Sequence, residues 1–251
     1  MSTRARLVMF LLAAAVVAAF FSAACAHLPP FATPDHPYGE RAVAAALERR
    51  TANVVSAVNF DIRAFDTLGE ESILFGTVLG ATLLLRRARD ERHRRPVAER
   101  VMPTTRLFAT LLLPVTLAVG VYTVAHGQLS PGGGFQGGVV LATALHLAYV
   151  AADYRALQKV RPLVVLDVAD SLAAASYTLV GLAGLITGGA FLQNVLPLGT
   201  FNTITSGGTV PVLNATVGVE VACGLICLLA HFLDQAVEFT GPDQYEKTGD
   251  R

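Results

Sequence analysis

The sequence has little charge, no tryptophan and very few cysteines. Charged side chains make up 15% of its 251 residues, and cysteine occurs three times. Basic and acidic residues balance at 19 each, so the chain lacks the basic surface typical of nucleic-acid binding. Hydrophobic residues reach 53%, with a mean hydropathy of +0.52. This composition differs from that of a soluble domain and predicts a membrane protein.

Motifs for catalysis and cofactor binding are missing as well. Residues 127–138 contain six glycines and a proline, but no Gly-Lys-Ser/Thr follows, which excludes a phosphate-binding loop. Cys223 and Cys227 lie one helical turn apart. No histidine or carboxylate completes a ligand set with them, and a buried cysteine is usually a small apolar residue. The sequence therefore predicts no catalytic residue, no cofactor and no metal ion.

What the chain does contain is a series of apolar runs long enough to cross a bilayer as helices. Pro114 lies inside the third run and is expected to kink it. The predicted fold is therefore an all-α, polytopic membrane protein with about six transmembrane helices. The runs cover residues 7–26, 67–85, 107–125, 135–152, 163–192 and 212–233.

The first run allows two interpretations. Arg4 and Arg6 precede it, and the small residues at 24–26 fit a signal-peptide cleavage site. The run is also about 20 residues long when it is extended to Ala26, which is enough to span a membrane. Both readings place the segment that follows outside the cell.

Residues 40–66 are predicted to form an amphipathic helix that lies along the membrane surface, because apolar and charged side chains alternate at helical spacing. A solvated helix packed on a partner protein fits the same pattern. Glu70 and Glu71 follow at the start of the second run. Acidic residues stabilise a helix N-terminus, and we interpret both glutamates in that way.

Lysine and arginine are distributed unevenly between the loops. Residues 86–106 carry eight arginines and residues 154–162 carry three further basic side chains, whereas residues 126–134 and 193–211 have none. Basic residues are enriched in cytoplasmic loops. The pattern predicts six spans with both termini in the cytoplasm and both glycine-containing loops outside.

One stretch carries a specific resemblance. Residues 126–138 read HGQLSPGGGFQGG and resemble the signature of the MnhB/MrpB family, a subunit type of the Mrp-type multisubunit cation/proton antiporters. Residues 206–214 and 217–221 resemble that family's second loop and last helix, and the similarity runs from about Arg106 to Leu233. We expect the first stretch to form a sharp, packed turn between two membrane helices. Its motif residues are Pro131, Gly132, Gly133, Gly134, Gln136, Gly137 and Gly138.

A second resemblance lies upstream. Residues 61–70 read DIRAFDTLGE and resemble a stretch near the end of MrpA, the large antiporter subunit, which also occurs in small subunits of membrane-bound hydrogenases. Ala64 replaces the glycine expected there, which suggests a backbone without positive φ. Because the hydrogenase-type small subunits keep an N-terminal helix, we favour a retained anchor over a signal peptide.

These resemblances divide the chain into three parts. Residues 1–85 form an N-terminal membrane module, residues 86–106 an arginine-rich cytoplasmic linker, and residues 107–251 a four-helix domain resembling MrpB. Each boundary remains an expectation from the sequence.

Four ionisable side chains are predicted at membrane depth: His146, Asp167, Asp170 and Glu220. A charge near the bilayer centre costs at least ~3 kcal/mol on insertion scales, so its retention needs a reason. Glu220, Asp170 and His146 are candidates for a polar path for protons or cations. The alternative is that they hold helices together by hydrogen bonds. We favour the path for Glu220 and the structural role for His146 and Asp170, while Asp167 lies close enough to the interface to need no explanation.

The resemblance implies an accessory subunit of a Na⁺/H⁺ antiporter in the plasma membrane, a transporter subunit and not an enzyme. Its expected partners are other membrane subunits, Na⁺, H⁺ and the lipid bilayer. The alternative is the membrane arm of an energy-converting hydrogenase or related oxidoreductase, with the redox centres on other chains. A third reading is an unrelated scaffold whose glycine-rich loops only mediate packing.

Overall fold

The computed structural model describes residues 3–28, 36–85, 101–152 and 163–233, and all regular structure in these ranges is helical. The described residues fall into two compact units, divided between Arg41 and Ala42. The helices are α1 (Thr3–Ala26), α2 (Pro37–Glu48), α3 (Val54–Ala57), a π-helical turn (Val58–Ile62), α4 (Ala64–Leu84), α5 (Pro103–Ala125), α6 (Gly134–Ala152), α7 (Leu163–Gly188) and α8 (Val210–Leu233).

The predicted all-α membrane class is confirmed. Among the described residues, α1, α5, α7 and α8 are long and apolar enough to cross a membrane. The number of six spans stays a prediction, and the arginine-rich segment at residues 86–100 lies outside the described residues, as do residues 153–162 and 234–251.

The prediction of a single surface helix over residues 40–66 was wrong, because the chain there forms three separate helical pieces: α2, α3 with the π-helical turn, and the start of α4. Helix α2 ends at Glu48, and Arg50, two residues later, lies in the left-handed region with φ of 54°. Asn53 then starts α3, since its side chain accepts hydrogen bonds from the backbone N–H groups of Val55 and Ser56. The π-helical turn follows α3 directly, and Arg63, with non-helical backbone angles, separates it from α4.

The N-terminal capping role predicted for Glu70 and Glu71 was also wrong. Helix α4 begins at Ala64, and Asp66 is the acidic residue of its first turn. The two glutamates therefore lie beyond the turn on which the helix dipole acts. Glu70 is exposed, whereas Glu71 is buried.

Helix α8 is the centre of the second unit and packs against α4, α5, α6 and α7. In its most apolar window 61% of the residues are buried, against 11% for α5. A helix that is apolar on all sides is expected to take such a central position. Side chains of α8 consequently meet residues from both halves of the chain.

Asparagine side chains fix the segment that precedes α4, which we call the linking segment (residues 49–63). Asn53 donates hydrogen bonds to the carbonyl oxygens of Gly127 (2.7 Å) and Ser130 (2.8 Å) in the loop between α5 and α6. Asn194, in the loop between α7 and α8, donates to Asp61 Oδ2 at 2.9 Å. The linking segment thus joins both loops at one end of the bundle, which we call the loop end.

Close packing between α5 and α6 generates a stability prediction. A methyl group at Gly137 would lie 2.8 Å from the backbone nitrogen of Val124 and 3.0 Å from the carbonyl oxygen of Gly120. Since backbone atoms cannot move aside easily, Gly137→Ala should cost about 1–3 kcal/mol. A lower thermal midpoint of the purified protein in detergent would measure this loss.

The matched control is Gly76→Ala in α4, where a methyl group would meet nothing within 4 Å. This change should leave the midpoint equal or slightly higher, because alanine favours helix. Equal midpoints for both variants would contradict the close α5–α6 contact.

Candidate functional site

Three buried carboxyl groups meet inside the second unit. Glu71 of α4 is 2% exposed, Asp170 of α7 is 6% exposed and Glu220 of α8 is 0% exposed. The carboxyl groups of Glu71 and Glu220 face each other and interact directly, and Asp170 lies close enough to interact with both. We call these three residues the carboxyl cluster.

The depth of the cluster follows from helix geometry. At a rise of ~1.5 Å per residue, Glu71 lies roughly 10 Å along α4 and Glu220 roughly 15 Å along α8. Both helices begin at the loop end, so the two side chains reach a similar level. The oxygen Oδ1 of Asp170 lies near Gly224, one turn beyond Glu220 on α8.

The cluster is unusual because its oxygen atoms lack partners. Apart from contact with each other, neither the Glu71 nor the Glu220 oxygens have a hydrogen-bond partner within the described ranges, and the same holds for Asp170 Oδ1. Burying a carboxyl group without such partners is costly. Buried polar groups without partners call for an explanation beyond stability.

A line of polar groups continues from the cluster along α7 and α8, away from the loop end. The thiol of Cys227 donates to Asp167 Oδ1 at 3.2 Å. One turn further, His231 Nδ1 contacts the carbonyl oxygen of Cys227 at 2.7 Å. His231 is half-buried in the last turn of α8, so this line runs from the cluster to what we call the His231 end.

On the opposite side the cluster is covered by apolar side chains. Phe60, Leu213 and Val217 belong to one buried core, and Leu213 and Val217 precede Glu220 on α8. Tyr177 is fully buried in the same core and donates from its hydroxyl to the carbonyl oxygen of Ala64 at 3.0 Å. The loop end is therefore closed by packed side chains, in contrast to the polar His231 end.

The structure brings together only some of the residues selected from sequence. Asp170 and Glu220 lie in the cluster, and Asp167 is joined to it through the polar line. His146 lies on α6 and is not among the groups that interact with Glu71, Asp170 or Glu220. Its Nε2 atom is buried without a hydrogen-bond partner in the described part of the chain.

Glu71 is the residue that sequence reasoning missed. Its signal was the spacing of buried residues on α4, where Ala64, Thr67, Glu71 and Val78 share one face. Successive residues of this set are three, four and seven positions apart, which is the pattern of a helix with one face packed on a neighbour. A capping glutamate would not lie on the buried face.

The glycine-rich motif lies at the turn from α5 to α6. The backbone N–H of Gly134 donates to Asn214 Oδ1 at 2.9 Å, and Asn214 donates to Ser56 Oγ at 2.9 Å. A methyl group at Gly138 would lie 2.9 Å from the carbonyl oxygen of Gly218. Pro131 and Gln136 are exposed. The motif positions α6 against α8 and has no contact with the carboxyl cluster among the interactions described above.

Comparison with known proteins identifies the family. The model of a domain related to the MnhB subunit of Na⁺/H⁺ antiporters matches residues 104–227. An uncharacterized protein of Methanocaldococcus jannaschii is 31% identical over 202 residues, which cover 69% of this chain and 74% of that protein. The chain belongs to the MnhB-related family.

A further relative carries a functional name. A Na⁺/H⁺ antiporter subunit of Alkalihalophilus pseudofirmus is 38% identical over 79 residues, or 31% of this chain and 54% of that protein. The similarity to this relative thus spans about half of its length.

Two solved structures share the fold. A chain of the membrane-bound sulfane sulfur reductase, an archaeal respiratory membrane complex, is 26% identical with a TM-score of 0.69, and the match covers 92% of this chain and 99% of that one. The Mrp complex from Dietzia sp. DQ12-45-1b contains a chain that is 23% identical with a TM-score of 0.67. That match covers 96% of this chain but only 27% of the Mrp chain. This MnhB-related chain is a multi-pass membrane protein.

Because the carboxyl cluster is buried without hydrogen-bond partners from the rest of the described chain, we expect that it lowers the stability of the fold. Glu220→Gln removes an ionisable group from a buried site and keeps a hydrogen-bond donor toward Glu71, so stability should rise by about 1 kcal/mol. The thermal midpoint of the purified protein in detergent measures this change. Glu70→Gln alters an exposed neighbour on α4 and should leave the midpoint unchanged. A clear fall for Glu220→Gln would instead make Glu220 a structural contact between helices.

Proposed function

We propose that this chain is an accessory subunit of a multisubunit Na⁺/H⁺ antiporter and contributes to exchange of a monovalent cation for protons. Membership of the MnhB-related family supports the class of complex. The observation that carries a direct role in ion movement is the buried carboxyl cluster of Glu71, Asp170 and Glu220. In the described ranges the glutamate oxygens have no hydrogen-bond partner outside the pair, and Asp170 Oδ1 has none.

The polar line leads from the carboxyl cluster to the His231 end of the bundle. From Glu71 and Glu220 it passes Asp170, then the contact between Asp167 and Cys227, and ends at His231. Ionisable residues that face a bundle interior commonly mark proton or ion routes. His146 stays a candidate for the same path, from a position on α6.

We assign the His231 end to the cytoplasm and the loop end to the outside of the plasma membrane. The distribution of lysine and arginine in the sequence supports this orientation, with both termini in the cytoplasm. Under this orientation the carboxyl cluster exchanges protons with the cytoplasmic side, while the packed loops seal the outer side.

Other membrane subunits are the expected partners, because both solved neighbours are multisubunit membrane complexes. We keep the division of the chain into residues 1–85, 86–106 and 107–251 as part of this proposal. In this arrangement Glu71 comes from the N-terminal module and Glu220 from the part resembling MrpB. The ion path is then built from both modules of one chain.

A second function is favoured by one comparison. The chain of the sulfane sulfur reductase complex matches nearly end to end, with 99% of it covered. This match supports a membrane arm in a respiratory oxidoreductase, in which redox chemistry occurs on other subunits. Co-purification separates the two functions, since a tagged chain would then bring down subunits with redox centres.

Transport measurements test the antiporter proposal. Glu71→Gln and Glu220→Gln should each lower Na⁺-dependent pH change in inverted vesicles by roughly 100-fold, the usual loss when a positioned proton-transfer group is removed. Glu220→Asp should retain part of the activity, because it keeps a carboxyl group. Amounts of the co-purified subunits should match those of the unsubstituted complex.

Glu70→Gln is the matched control, because Glu70 is exposed and adjacent to Glu71. It should transport normally. Normal transport by assembled Glu71→Gln or Glu220→Gln complexes would remove the cluster from the path. Loss of transport in proportion to loss of assembled subunits would make these residues structural.

A further inference from the structure

We propose that Glu71 and Glu220 hold a single proton between them, as a carboxylic acid paired with a carboxylate. The pair is then one proton-binding site built from two helices. This inference rests on the proposed function for its role in transport. The existence of the shared proton depends only on the geometry of this chain.

Charge is the first argument for a shared proton. The groups that interact with Glu71 are acidic, namely Glu220, Glu70 and Asp170, and the Tyr177 hydroxyl also lies nearby. Asp170 in turn interacts with Glu71, Glu220 and Asp167. No lysine or arginine of the described residues is among these groups. Two ionised carboxylates in buried contact repel each other strongly, and pairs of this kind keep one proton.

Hydrogen bonding gives a second, independent argument. The oxygens of both glutamates are buried and have no donor from elsewhere in the described ranges. A proton on one carboxyl group supplies the missing donor, because an O–H can donate to the facing carboxylate. Hydrogen bonds between an acid and its carboxylate are short and strong. One proton thus removes a negative charge and forms the bond that the site lacks.

The ligand set favours a proton over a bare cation. Hard cations take six or more oxygen ligands, or keep several waters in place of some of them. Within the described residues no group of three or more His, Cys, Asp or Glu side chains could hold a metal ion. Two facing carboxyl groups are sufficient for a proton.

Asp170 makes release of the proton possible. It interacts with both glutamates and lies on the side of the cluster that leads to Asp167 and His231. The apolar core with Leu213 and Tyr177 covers the other side. The proton is therefore exchanged through the His231 end.

A carbodiimide tests the proposal directly. Dicyclohexylcarbodiimide is apolar and reacts with protonated carboxyl groups in apolar surroundings. In the assembled complex at neutral pH, mass spectrometry should find one adduct per chain, on Glu71 or Glu220. The exposed Glu70 should carry none. Glu71→Gln/Glu220→Gln should lose the adduct, whereas Glu70→Gln should keep it.

The possible outcomes separate this proposal from the proposed function. Absence of any adduct on the pair, or two adducts on one chain, would overturn the shared proton. If the adduct is absent while Glu220→Gln abolishes antiport, the ion path stands and the shared proton fails. If the adduct forms while Glu71→Gln transports normally, the shared proton stands and the transport role of the pair fails.

Discussion

One contact is costly in free energy and constrains the rest of the structure. It is the contact between Glu71 and Glu220 inside an otherwise apolar bundle. Each carboxyl group is almost fully buried, and within the described ranges the oxygens of both have no hydrogen-bond partner outside the pair. Membrane helices associate without a hydrophobic driving force between them. An arrangement that buries two such groups must therefore be held by other contacts, and the packing around α8 supplies them.

Those stabilising contacts are concentrated at the loop end. Asn53, Asn194 and Asn214 each join backbone or side-chain groups that are far apart in sequence. Because the linking segment is bound to both loops, the start of α4 is fixed relative to α8. The hydrogen bond from Tyr177 to Ala64 adds a contact from α7. The stable contacts at this end thus position a destabilising site about two to three turns deeper in the bundle.

Glycine has a specific role in this arrangement. Gly134, Gly137 and Gly138 allow α6 to approach α5 and α8 closely, as small residues do between membrane helices. The sequence motif that identifies the family is therefore a packing device, and the ionisable residues lie elsewhere.

Sequence reasoning found the apolar helices and the buried carboxyl group of Glu220, because hydropathy and the cost of a charge at membrane depth are local properties. It missed Glu71, since the first residue of α4 is set by contacts of the linking segment with distant loops. The break in the helix predicted over residues 40–66 has the same cause. It depends on Asn53 and Arg50, whose partners Gly127 and Gly199 lie far along the chain. The pairing of Glu71 with Glu220 spans both halves of the sequence and left no local pattern.

A double-mutant cycle on antiport tests most directly whether Glu71 and Glu220 act as one site. Transport is compared for the unsubstituted complex, Glu71→Gln, Glu220→Gln and the double variant, each corrected for assembled subunits. If the pair is a single site, the double variant loses no more activity than either single variant, because the first substitution already removes its function. Losses that multiply in the double variant would mean two independent groups and would contradict the account.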